Sequence, residues 1–138
     1  MVKVNPEPEQ KGKYTPFERV TGLYESTDDL FTILQALQLS GFGENDIDLF
    51  IGQEGAEKLD LKRRKVGAVV RFFQDLKMLL SDETEIQREI DEVLRHGGMS
   101  INVLTGSDEL KKRSVVNILK AHRPRDLRYW GHLSIERF

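Results

Sequence analysis

A chain of 138 residues that spells one strand-to-helix junction twice has few folds open to it. "VTGLYESTDDL", residues 20–30, runs from an alternating apolar stretch through small polar residues into a helix start, and "INVLTGSDEL", residues 101–110, repeats the passage. In residues 18–25, Val20, Leu23 and Tyr24 stand among small or polar neighbours, which suits a short strand. The period then changes: Leu30, Ile33, Leu34 and Leu37 recur at three- and four-residue steps and share one helical stripe. Ser26 is placed to cap this helix, Asp28 and Asp29 suit the positive end of its dipole, and Gly41 is free to take the left-handed conformation that ends it. Ile47, Leu49 and Ile51 then alternate with Asp48 and Phe50 as a second strand.

The second copy follows the same order. The strand "SINVL" carries Ile101 and Val103, Thr105 or Ser107 is placed to cap, and Val115, Ile118 and Leu119 form the inward stripe of a helix stopped by Pro124. "DLRYWG" then aligns with "DIDLFIG" through Asp46 and Asp126, Ile47 and Leu127, and Phe50 and Trp130, with one residue deleted before the glycine. Each unit alone would expose an apolar sheet face, and right-handed crossovers put both helices on one side of a shared sheet. The expected fold is therefore α+β, a ferredoxin-like double βαβ sandwich with a helical insertion between the repeats. Its parts are βαβ 18–52, insertion 53–98 and βαβ 99–134, within a single domain 16–138. Residues 1–15, rich in proline, Glu, Gln and Lys and without the apolar core of a signal peptide, are expected to be a flexible tail.

The insertion is expected to be helical throughout. "ETEIQREIDEVLRHG", residues 83–97, has a narrow stripe of Ile86, Ile90, Val93 and Leu94 and stops at Gly97 and Gly98. "VGAVVRFFQDLKMLL", residues 66–80, differs: wound as a helix, its apolar side chains spread over roughly 200° of the circumference, about twice a one-sided stripe. A helix so wide needs a second cover, which the insertion and sheet of the same chain, a second protein molecule or a membrane surface could provide, and Phe72, Phe73, Leu76 and Leu79 are the candidate interface should a second copy of the chain provide it.

Charge is unevenly placed behind a net value of −2. Residues 25–60 hold nine acids against Lys58, whereas residues 111–138 hold eight bases against Asp126 and Glu136. The basic end makes Arg123, Arg125 and Arg128 candidates for an anion, and the strand-to-helix turn Thr105, Gly106 and Ser107 could offer backbone amides to the same ligand. The run "KRRK", residues 62–65, is expected to be a solvated linker.

Other chemistries are closed off. With no cysteine there is no disulfide, thiolate zinc site or thiol nucleophile. His96, His122 and His132 lack the spacing of a metal pair, the serines lack triad surroundings, and no glycine-rich phosphate loop is present. No cofactor, metal or catalytic residue is expected. No apolar run reaches the roughly 20 residues of a membrane-spanning helix, so the expectation is a cytoplasmic chain without a membrane partner. The strand "MSINVLTG" holds no aromatic residue, which excludes the RNA-recognition module that stacks bases there.

Residues 18–52 resemble the short βαβ unit of the heat-induced general stress protein family of bacteria. The likeness is carried by Gly22, Tyr24, Asp28, Asp29, Leu37, Gly41, Phe42, Asp46 and Ile47. It implies a stress-associated bacterial protein and assigns no activity. The function expected is a non-enzymatic stress-associated or protein-interaction module that forms a homo-oligomer, a dimer in the simplest case. The alternative is a module that binds a small anion, or less readily nucleic acid, through the basic C-terminal unit.

Overall fold

The computed structural model describes residue 15 and residues 17–72 and 85–138. Within them the chain is α+β, with four α-helices and one mixed six-stranded sheet. The order along the chain is β1 (Arg19–Tyr24), α1 (Leu30–Leu39), β2 (Ile47–Ile51), α2 (Gln53–Leu59), β3 (Val69–Phe72), α3 (Glu85–Arg95), β4 (Met99–Leu104), α4 (Glu109–Lys120), β5 (Asp126–Trp130) and β6 (Ile135–Arg137). Across the sheet the order is β3-β2-β4-β1-β5-β6. β4 runs antiparallel to both β1 and β2, and β1 runs antiparallel to both β4 and β5. α1 and α4 therefore each join two strands that point the same way, with a strand from the other half of the chain between them.

Side chains alternate across this sheet as the strand period requires. Val20 and Tyr24, Ile47, Leu49 and Ile51, Met99, Ile101 and Val103, and Leu127 and Tyr129 face one side and form the main core. The stripe Leu30, Ile33, Leu34 and Leu37 of α1, with Val115 and Leu119 of α4, closes that core. Tyr24 fixes the packing: its hydroxyl donates to the Leu119 carbonyl at 2.6 Å. Burial, and then the charge of Asp29, push the phenol well above its ordinary range, so it remains a donor.

On the opposite face Leu23 and Phe50 are buried, as are Val93 and Leu94 of α3, which lies against β1 and β4. Two glycines permit this close approach. A Cβ at Gly52 would run into the Leu94 carbonyl oxygen, and one at Gly98 would run into the Tyr24 carbonyl oxygen and the Val93 side chain.

The stripe Ile86, Ile90, Val93 and Leu94 falls on α3 as expected, but the insertion is not helical throughout. Residues 69–72 are a strand, paired in parallel with β2. The 66–72 run is rich in β-branched and aromatic residues, and its side chains serve two faces: Val70 packs on the main core, while Arg71 reaches Asp48 on the other face. Within residues 69–72 the side chains follow the two-residue period of a strand, which a helical wheel spreads around its circumference. Phe73, Leu76 and Leu79 lie outside the described residues, as does the 1–15 tail except Thr15.

The caps also differ from expectation. Ser26 accepts a bond from the Asp28 amide ahead of the helix, and α1 begins after Asp29 with no side-chain cap. Neither Thr105 nor Ser107 caps α4. Asp108 does, its carboxylate accepting from the Leu110 and Lys111 amides at 2.9 and 3.1 Å. A carboxylate accepts more strongly than a hydroxyl at the positive end of a helix, and Asp108 stands directly before the first turn. Asp108→Ala should therefore lower stability by about 1 kcal/mol. Urea denaturation would register this as a lower midpoint with an unchanged slope. Gly41 ends α1 as expected, at φ +98°.

Candidate functional site

The sheet face opposite the main core carries a polar arrangement that no local sequence pattern announces. Asp48 lies in the middle of β2 and is 2% exposed. Its two carboxylate oxygens are bracketed by Arg19 Nη1 at 2.7 Å and Arg71 Nε at 2.8 Å. These three residues come from β2, β1 and β3, so the bracket spans four of the six strands, from β3 to β1. Beneath it Asn102 of β4, also buried, donates to the Asp48 carbonyl at 3.3 Å and to the hydroxyl and carbonyl of Ser100. With both oxygens of Asp48 engaged by guanidinium groups, the side chain ties β2 to β1 and β3.

A second bracket stands near the other edge of the sheet. Asp126 of β5, buried, faces Arg128 Nε at 2.7 Å and Arg137 Nε at 3.1 Å. Beside it, between α3 and the β5–β6 edge, is a polar cleft of about 340 Å³ lined by Arg88, Arg125, Arg128 and Arg137 with Glu89 and Glu92. Arg125 bridges to Glu89 at 3.2 Å and to Glu25 and Glu92 at 3.5 Å.

The anion candidates are thus divided. Arg125 and Arg128 meet in the cleft, whereas Arg123 is exposed on the turn before β5, at φ +57°. The turn at Thr105, Gly106 and Ser107 is separate again. The Thr105 and Gly106 amides both donate to the Glu18 carbonyl, at 3.0 and 3.1 Å, so this pair is engaged by the chain itself. Sequence reasoning missed Arg88 and Arg137. The only signal was their charge, since α3 and β6 lie far apart along the chain.

Much of the remaining basic charge is paired. Lys112 of α4 meets Glu109 at 2.8 Å and Glu136 at 3.0 Å, and hydrogen bonding to these carboxylates raises its amine above the ordinary range. Arg64, within the 62–65 run, lies over the Phe31 ring at 4.0 Å. His96 contacts the Glu92 carbonyl, His122 contacts Asp29 and His132 contacts Glu18. Among the described residues no three His, Cys, Asp or Glu side chains gather as a metal set, and no helix is long and apolar enough to cross a membrane.

Apolar exposure concentrates at two places. Phe72 is 46% exposed and lines a cleft of about 550 Å³ with Ala56 and Leu61 of the α2 region. At the far side of the sheet, strand register places Leu104, Arg19, Trp130 and Ile135 in one row across β4, β1, β5 and β6. Leu104 and Ile135 in that row are exposed, as are Phe17 and Leu133 in the flanking segments. Trp130 is held there by its Nε1, which donates to the Thr21 hydroxyl at 3.0 Å. Comparison of the chain with protein-family models, with curated proteins and with solved structures finds no match in any of the three.

Proposed function

We propose that this chain is a non-enzymatic, self-associating protein-interaction module of ferredoxin-like architecture, with the stress-associated bacterial role that residues 18–52 suggest. The order β2-β4-β1-β5, with α1 and α4 packed on one face, supports the architectural part. The observation that carries self-association is the row Leu104, Trp130 and Ile135 with Phe17 and Leu133 beside it. Large apolar side chains grouped at one end of a sheet face gain by leaving water together, and an aromatic residue pinned by its own hydrogen bond makes a rigid anchor. A second copy is the partner proposed, because a two-fold contact sets the same row against itself.

Sedimentation equilibrium tests this directly. The parent should sediment as a dimer at tens of micromolar, and Ile135→Glu should weaken the association at least about tenfold. Ile135 is exposed, so the variant should keep its fold. A monomeric parent, or a dimer indifferent to Ile135→Glu combined with Leu104→Glu, would remove the support for this surface. Loss of the dimer on Phe72→Glu alone would move the contact to the β3 edge.

A further inference from the structure

We infer that the cleft between α3 and the β5–β6 edge is a binding site for a small oxyanion, a phosphate or carboxylate group on a compact molecule. Four guanidinium groups line it, those of Arg88, Arg125, Arg128 and Arg137. Their state differs in an informative way. Arg125 is occupied by three carboxylates, those of Glu25, Glu89 and Glu92. Arg128 and Arg137 each use Nε on the same buried carboxylate, Asp126, at 2.7 and 3.1 Å. The Arg128 Nε donates to Asp126 Oδ2, which holds that guanidinium plane and leaves its terminal amino groups as donors, whereas the more exposed Arg137 meets Asp126 Oδ1 as an ion pair only. Arg88 forms no ion pair among the described residues.

Four cations thus face the four carboxylates of Glu25, Glu89, Glu92 and Asp126, so the charges balance, and what the cleft offers an anion is the guanidinium donors still to be used on Arg88 and Arg128. A planar guanidinium matches a carboxylate or phosphate edge through two parallel bonds, and Asp126 acts as a positioning residue that orients the fork of Arg128. The volume, about 340 Å³, suits a small molecule at the low end of ordinary ligand pockets. A polymer would need a continuous basic track, but Lys112 and Arg64 beyond the cleft are engaged by Glu109, Glu136 and Phe31. The self-association row lies beside the site, two residues along the same strands: Trp130 pairs with Ile135 and Arg128 with Arg137.

Inorganic phosphate, pyrophosphate and malonate are the probes, titrated at low ionic strength and followed by calorimetry and by the arginine Nε–H resonances in NMR. At least one should bind in the millimolar range or tighter, shifting the Nε–H signals of Arg128 and Arg137. Preference for pyrophosphate would mark a phosphoryl ligand and preference for malonate a carboxylate, and either supports the site. Arg88→Gln, at an exposed position without an ion pair, should weaken binding about tenfold, the effect of losing one charge-assisted contact. Arg123→Gln, outside the cleft, should leave it unchanged. Three results would overturn the inference: no resonance shift with any probe up to about 10 mM, where a few charge-assisted contacts should be visible; equal affinity in Arg88→Gln and the parent; or binding of mixed-sequence RNA with none of the three small anions.

Discussion

Asp48→Ala is expected to lower the unfolding free energy by about 3–5 kcal/mol, because it leaves the Arg19 and Arg71 guanidinium groups beside each other without the carboxylate between them. Both arginine side chains are largely buried, so water can replace only part of what is lost. A domain of this size has a total stability of roughly 5–15 kcal/mol, so the variant would stand close to unfolding. Thermal denaturation should show a fall of roughly 10–20 °C. A companion variant separates charge from packing. Arg19→Met, Asp48→Leu and Arg71→Met together remove all three charges while keeping side-chain volume, and this triple variant should recover most of the loss. If the single and triple variants are equally damaged, packing rather than loss of the carboxylate between the two guanidinium groups is the cause.

The second large effect is expected at Gly98. Alanine there places a methyl group against the Tyr24 carbonyl oxygen, the Val93 carbonyl oxygen and the Val93 side chain at once. Two of these three obstacles are backbone atoms, so a rotamer change cannot relieve them. The cost should approach the upper end of ordinary overpacking, about 3 kcal/mol, and fall on the docking of α3. Hydrogen exchange would show α3 opening at a lower free energy while α1 keeps its protection. Uniform loss across both helices would mean that α3 does not move as a separate unit. Because α3 supplies Arg88, Glu89 and Glu92, displacing it should also disturb the anion cleft.

What was legible in the sequence divides along physical lines. The helical stripes of α1, α3 and α4 could be found because a one-sided helix writes its buried face at a fixed spacing, and β1, β2, β4 and β5 could be placed by alternation and turn residues. β3 was misread because Val69, Val70 and Phe72 put apolar side chains on both faces of the strand, a pattern shared with a helix that is apolar on most sides. β6 is three residues long and too short for a periodic signal. Asp48 reads as the solvent-facing position of an alternating strand, and nothing local says otherwise. Its burial depends on Arg19 and Arg71, which lie 29 and 23 residues away. The anion cleft was half visible: Arg125 and Arg128 share one basic segment, but only the return of β6 and the docking of α3 bring Arg137 and Arg88 beside them.

The interleaving of the two halves has a consequence for synthesis. β1 takes both its neighbours, β4 and β5, from the chain that follows residue 98. While the ribosome is still making the last 40 or so residues, a matter of roughly 2–8 s at ordinary elongation rates, the emerging first half holds Val20, Leu23 and Tyr24 on a strand with no neighbour to pair with. That interval is long compared with collapse or hairpin closure, so holdase chaperones should find this nascent segment, and recovery of active protein in cells should follow chaperone supply as closely as equilibrium stability.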